Sequence, residues 1–306
     1  MALRPEVPSA AAEDDAGLFD PAFLQSLETL ALASRRRVQG VHRGERRSIA
    51  RGRGVEFADY RPYEPGDDYR YIDWHIASRL DRLVVKMFTE EEDLQVHLLV
   101  DASASMLVGT PPKLALARRL AAAIGYIALV NLDRVTVSAV TSAPGPSLGA
   151  LRGRRRAVDL FQFLAGVRGG GATDLGGALR RLLWTARRGS LLVLFSDLLD
   201  PHGYERALRE ALYHRCSVFL VHILAEEEIA PPLAGDVRLV DVETGESVEI
   251  TADPDTLRLY AEAVEEFTQG VERFCARCGI DYLRTLSSVP AEVLVTRYLR
   301  QGGLLE

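Results

Sequence analysis

Two short segments restrict this chain to a narrow set of folds. LQVHLLV at Leu94 to Val100 and SLLVLFS at Ser190 to Ser196 carry apolar residues at both odd and even positions. Successive side chains of a strand point to opposite faces, so a strand apolar at odd and even positions needs cover on both sides. Amphipathic stretches separate these segments from other apolar ones, and strands alternating with helices build a parallel sheet sandwiched between helix layers. The predicted helices run from Pro21 to Arg37 (Asp20 as N-cap, Pro21 at the first position), Lys113 to Leu132, Arg155 to Ala165, Asp174 to about Ala186, Tyr204 to His214, Asp253 to Cys278, and onward from Pro290. The predicted strands are Leu83 to Thr89, Leu94 to Val100, Arg134 to Thr141, Ser190 to Ser196, Ser217 to Leu224 and Asp281 to Arg284. VRLVDVETGESVEI reads as an inserted β-hairpin turning at Thr244–Gly245. The expected fold is α/β: a doubly wound, mostly parallel sheet with an N-terminal extension and an inserted hairpin.

Composition narrows the functional classes. With 306 residues, 47% hydrophobic and 26% charged, the chain can bury a large core. A formal charge of −6 argues against a surface built for nucleic acid. Three cysteines do not form a disulfide framework and fit a reducing compartment. The acidic, Ala-rich N-terminus lacks the apolar run of a signal peptide. The longest apolar run, Leu120 to Val130, is shorter than the roughly 20 residues of a membrane span. The expectation is a soluble cytoplasmic protein with no membrane span and no nucleic-acid partner. Residues 1–20 read as a disordered arm, 21–93 as a helix and extension packed on the core, and 94–306 as the α/β domain.

Chemistry concentrates at the strand ends. Asp101-Ala-Ser103-Ala-Ser105 follows a buried strand directly, and ligands of doubly wound sheets bind beyond the carboxyl ends of the strands. Mg2+ takes oxygen ligands in near-octahedral geometry, and hydroxyls and carboxylates two residues apart on a tight loop suit it. Thr173 ends the run Gly169-Gly170-Gly171-Ala172-Thr173 before a helix, and Asp197 ends the second apolar strand. Any one of these pieces alone reads as a turn or cap residue. Together they predict a site for Mg2+ (Mn2+ as the alternate) on Asp101, Ser103, Ser105, Thr173 and Asp197.

The segments DASAS, GGATDL and LFSDL resemble the metal-ion-dependent adhesion site of von Willebrand factor A domains. That resemblance implies Ser103, Ser105 and Thr173 as direct ligands, Asp101 and Asp197 as direct or water-mediated ones, and a partner's carboxylate completing the sphere. Leu198 departs from the pattern, since many such domains carry Gly there, and this puts the local turn in question. Upstream, Gly52-Arg-Gly54-Val-Glu56-Phe57, Arg61-Pro-Tyr63-Glu-Pro65-Gly66-Asp67-Asp68-Tyr-Arg70-Tyr-Ile72-Asp73-Trp74 and Ala77-Ser-Arg79 resemble the signature of domain-of-unknown-function family 58. Those bacterial proteins have a von Willebrand A-like core and are often linked to MoxR-type AAA+ ATPases. The resemblance implies a chaperone-like adaptor of such an ATPase, with Arg61, Asp67, Asp68, Asp73, Trp74 and Arg79 as candidate docking residues.

Other features read as structural. The basic residues Arg35 to Arg37, Arg43, Arg46, Arg47, Arg51 and Arg53 precede a run of acids and are expected to pair with them. Trp74 is expected to anchor its segment on the sheet, with Asp73 and Arg79 pairing or capping. Cys275-Ala-Arg-Cys278 lies in a predicted helix, without the two further ligands zinc needs. Gly169–Gly171 is no phosphate loop, since no Gly-Lys-Ser/Thr follows. A competing enzymatic reading makes Asp101 the nucleophile of a metal-dependent phosphohydrolase. Against it, Ser103 stands where such enzymes place a second carboxylate, and no His or general base is apparent nearby.

Overall fold

The computed structural model describes residues 19–21, 23–29, 56–80, 82–89 and 94–301. The residues before 19, the arginines at 35–53 and the charged segment 90–93 lie outside these. The chain divides into two compact units, residues 1–34 with 94–305, and residues 35–93.

Helix α1 (residues 23–29) starts as its sequence dictates, with the Asp20 carboxylate accepting from the Phe23 N–H at 2.6 Å. Phe23 and Leu27 are buried in the larger unit's core, so this helix belongs with that unit, whereas its sequence grouped it with the extension. The smaller unit contains more regular structure than its irregular pattern suggested. Strand β1 (Glu56–Pro62) pairs antiparallel with β2 (Val84–Thr89), with a bulge between Phe57 and Asp59. A 3-10 turn at Tyr69–Tyr71 and helix α2 (Trp74–Leu80) connect them. Pairing with a neighbour stabilises β1 here where its own composition, rich in charge and closed by Pro62, gave no period.

The larger unit carries a six-stranded sheet. In chain order it contains β3 (Gln95–Asp101), α3 (Lys113–Val130), β4 (Arg134–Val140), β5 (Ser147–Arg152), α4 (Ala157–Gly166), α5 (Leu175–Leu183), β6 (Leu191–Ser196) and α6 (Glu205–Tyr213). There follow β7 (Ser217–Leu224), α7 (Glu226–Ile229), a separate hairpin of β8 (Gly235–Val240) and β9 (Ser247–Ala252), then α8 (Pro254–Cys278), β10 (Asp281–Leu286) and α9 (Ala291–Gln301). The sheet order is β10-β7-β6-β3-β4-β5, parallel throughout except for β5 at one edge. This is the doubly wound α/β fold. Strand β5 was not anticipated, because its largely exposed edge position leaves it little apolar pattern. The inserted hairpin is present, but it closes through a six-residue loop, 241–246, rather than a two-residue turn.

The chain runs outward from β3 to β4 and β5, then returns to place β6 on the other side of β3. The switch in winding direction therefore falls between β3 and β6, and a crevice opens there beyond the strand ends. Each face of the sheet has its own apolar layer. One holds Leu98, Val100 and Val193 against α3, α4 and α9, the other Leu99, Leu192 and Leu194 against α5, α6 and α8. Helix α3 is buried almost throughout rather than amphipathic, with even Lys113 at its first position fully enclosed. Asp174 caps α5 through the Gly177 N–H at 2.7 Å, and Gly279, at φ +67°, ends α8 as its sequence indicates. Among the described residues no helix is long and apolar enough to cross a membrane.

Leu99 is 1% exposed in the layer beneath α5 and α6. Leu99→Ala should lower the free energy of unfolding by about 2–5 kcal/mol with an unchanged denaturant slope. Chemical denaturation measures this, and a loss under about 1 kcal/mol would mean that the central strands are not the core.

Candidate metal centre

The five residues singled out from sequence converge on this crevice. Asp101 ends β3 and Asp197 follows β6, its direct neighbour in the sheet. All five are buried: Asp101, Ser103 and Asp197 are 0% exposed, Thr173 4% and Ser105 5%. The loops are tied to one another by backbone. Ala104 N–H donates to Gly171 C=O and Gly170 N–H to Ala102 C=O, each at 2.8 Å, which brings the Thr173 loop against the Ser103 loop. Ser142 N–H donates to Ala172 C=O at 2.8 Å and closes the same cluster on the β4 side. The third loop is fastened by Asp200, whose carboxylate accepts from Leu175 N–H at 2.8 Å, two residues past Thr173.

The glycine run follows from this packing. A Cβ on Gly169 would lie 2.6 Å from the Leu107 side chain, and Gly171 has φ +75°. Leu198 adopts the left-handed conformation at φ +62°, a backbone region that glycine enters more readily. That backbone strain is about 1–2 kcal/mol, and the Leu198 side chain, 2% exposed in the apolar layer, offsets it.

The donors and acceptors are divided in a way that bears on metal binding. Both Asp101 oxygens are engaged, Oδ1 by Ser103 N–H at 3.0 Å and Oδ2 by the Ser196 hydroxyl at 2.6 Å. Asp197 Oδ1 accepts from Leu199 N–H at 3.2 Å, and Oδ2 pairs with Lys113 Nζ at 2.7 Å. The same ammonium pairs with Glu228 on α7. Ser103 Oγ and Ser105 Oγ lie 2.9 Å apart. That separation is a hydrogen bond, and it also equals the edge of about 2.9 Å between neighbouring ligands of an octahedral Mg2+. Each hydroxyl and each carboxylate oxygen keeps a lone pair beside its hydrogen bond, so the hydroxyls can ligate directly with the two aspartates supplying charge around them.

The charge balance fits a cation. Burial, then the Asp197 charge, pushes the Asp101 carboxyl up to about 6, against the hydrogen bonds from Ser196 and Ser103. Lys113 is shared between two carboxylates, so the centre holds more negative charge than its own residues neutralise. Among the described residues no three His, Cys, Asp or Glu side chains gather as a metal centre, which leaves this hydroxyl-rich set as the candidate.

Sequence reasoning missed Lys113, Ser196, Asp200, Glu228 and Glu243. Glu243, on the 241–246 loop, accepts the Thr173 N–H and hydroxyl at 3.2 Å each. It also missed His222, which pairs with Ser196 across β6 and β7, although a histidine was thought absent from the neighbourhood. Burial lowers His222 to about 4, and its Nδ1 lies 2.9 Å from the Tyr282 hydroxyl, so it is a neutral sheet residue. Cys275 is an apolar-layer residue whose thiol burial raises to about 12.

The six docking candidates belong to the smaller unit. Arg61 pairs with Asp67 at 2.6 Å and Glu64 at 3.2 Å, while Asp68 pairs with Arg70 at 2.6 Å. Asp73 caps α2 through His75 and Ile76 N–H, and Lys86 at 3.0 Å holds its carboxyl near 2. Trp74 does not anchor this segment, being 61% exposed, and Arg79 is exposed as well.

A family model described as Protein of unknown function DUF58 matches residues 59–269. The uncharacterised proteins Rv1480 of Mycobacterium tuberculosis and Mb1516 of Mycobacterium bovis are each 32% identical over 273 residues, 86% of this chain and 84% of theirs. Among solved structures, the conserved hypothetical protein BatB of Bacteroides thetaiotaomicron aligns with a TM-score of 0.41 at 15% identity, covering 68% of this chain and 98% of that one. Manganese-loaded TRAP protein of Plasmodium vivax aligns at 0.32 and 16%, covering 42% of this chain and 57% of that one.

Two predictions follow the charges. Lys113→Met leaves Asp197 and Glu228 unpaired and should destabilise by about 3–5 kcal/mol, read by thermal unfolding. An acid whose pKa rises on folding opposes folding once ionised, so the Asp101 penalty is absent well below the unfolded value of 3.8, grows between there and about 6, and is complete above pH 7. In EDTA, Asp101→Asn should gain about 1–3 kcal/mol above pH 7 relative to its difference from the wild type near pH 3. Equal stability of the two proteins at every pH would contradict a buried, uncompensated carboxylate.

Proposed function

The chain belongs to the family described as Protein of unknown function DUF58, and from that premise we propose that it is a metal-dependent protein-interaction module. The observation that carries this reading is the buried set of three hydroxyls and two carboxylates at the switch between β3 and β6, with Ser103 and Ser105 Oγ 2.9 Å apart. Ser103, Ser105 and Thr173 would hold Mg2+ or Mn2+, with Asp101 and Asp197 supplying the negative charge around it. When bound, the cation supplies an electrophilic point on which an acidic side chain of a partner docks. Exposed Leu107 and Leu199, each next to one of the site loops, offer apolar surface at its rim.

The partner we propose is a MoxR-type AAA+ ATPase, with the chain acting in the cytoplasm as its chaperone-like adaptor in the assembly or maturation of other proteins, not on nucleic acid. Exposed Trp74 and Arg79 of the smaller unit are the candidates for a second contact. The phosphohydrolase reading is disfavoured, because Ser103 stands two residues after Asp101, where such an enzyme places its second carboxylate.

The test is retention of a MoxR-type ATPase from bacterial lysate on wild-type, Ser103→Ala and Asp101→Ala baits, with Mg2+ and with EDTA. Retention by the wild type in Mg2+ alone is expected, with Ser103→Ala remaining folded within about 1–2 kcal/mol of the wild type. Equal retention under every condition would remove the metal from the interaction.

A further inference from the structure

The segment between β7 and α8 sends two carboxylates into the centre. Glu228 reaches it through Lys113, and Glu243 through Thr173. The Glu243 contact is bidentate, with Oε2 accepting from Thr173 N–H and Oε1 from its hydroxyl, each at 3.2 Å, across 70 residues of chain. The loop is shaped to present this side chain. Asp241 Oδ1 accepts from Glu243 N–H at 2.7 Å and Thr244 N–H at 3.1 Å, and Gly245 closes the loop at φ +75°.

The rest of the hairpin is lightly held. From residue 235 to 252 only Ala252 is buried, while Val240, Val242 and Val248 are 55–56% exposed. A two-stranded hairpin is marginal by itself, and a segment with few buried apolar contacts opens at small cost. A Thr173 hydroxyl that donates its proton to Glu243 keeps its lone pairs for a cation. With its proton turned aside, the Thr173 oxygen would stand 3.2 Å from Glu243 Oε1, close to an octahedral edge of about 2.9 Å, so both oxygens lie within reach of one ion.

We infer that Glu243 is a tethered ligand: it fills, from within the chain, the position an acidic partner would take, and the hairpin must lift to admit that partner. The inference rests on the metal-dependent reading above and adds its regulation. A tethered carboxylate acts at an effective concentration on the order of millimolar, so free carboxylates and weak acidic partners are excluded. The partner that succeeds carries its acid on a turn or extended segment, as the hairpin does, and its apparent affinity is reduced by the fraction of closed hairpin.

Water-proton relaxation of the full chain saturated with Mn2+ tests this, on wild type, Glu243→Ala and Glu246→Ala, with and without millimolar sodium acetate. Glu243→Ala should show higher relaxivity, by about one inner-sphere water. Acetate should return it to the wild-type value, while the wild type and Glu246→Ala, which changes an exposed acid on the same loop, do not respond. Equal relaxivity and equal acetate response in all three proteins would overturn the tethered ligand and leave the metal reading standing. The same shift in Glu246→Ala would also overturn it, by making the effect one of loop charge. Failure of the wild type to bind Mn2+ would overturn the metal reading and this inference together.

Discussion

Asp101 ends β3 and Asp197 follows β6, two adjacent and almost wholly buried strands, and neither carboxylate touches solvent. Carboxylates so placed ordinarily neutralise or acquire partners, because an isolated buried charge is heavily penalised. Here the partners are unequal. Asp197 has the Lys113 ammonium, while Asp101 has one amide and one hydroxyl and retains the strain as a raised pKa. Much of the local architecture serves these two groups. Helix α3 begins with a buried lysine, the glycine run lets one loop lie against another, and Leu198 accepts a left-handed backbone after Asp197.

Stability alone would not select this arrangement. A buried ion pair such as Lys113–Asp197 is often no better than apolar residues of similar volume, and an additional unpaired carboxylate is worse. The excess negative charge has a physical use if a cation completes it, since the same groups that destabilise the empty centre then supply its affinity. The inserted segment adds Glu228 and Glu243 to this excess. A cation bound there would thereby be coupled to whether the hairpin is seated.

The strongest parts of the fold were plain in the sequence. The strands apolar on both faces call for a sheet covered on both sides, and Asp101 and Asp197 stand at the carboxyl ends of two of them. Elements stabilised by neighbours were hidden: β5 and β1 carry little pattern of their own and exist because β4 and β2 offer them hydrogen bonds. The missed site residues share one cause, distance along the chain. Lys113 lies 84 residues from Asp197 and 115 from Glu228, and no local spacing announces such pairs. A lysine opening a helix after two prolines reads as a solvated end, and only the packing of α3 against the sheet encloses it. Ser196 was legible in principle, being a polar residue closing an apolar strand beside Asp197.

The long reach of these contacts has a consequence for how the protein is made. The centre draws on residues from Asp101 to Glu243, joined through a sheet whose parallel pairings are all non-local. A nascent chain that ends before residue 243 can form β3, β4 and even β6, yet it lacks part of the constellation. Until the hairpin has been synthesised, the Thr173 edge of the centre is therefore left without the carboxylate that covers it in the finished fold.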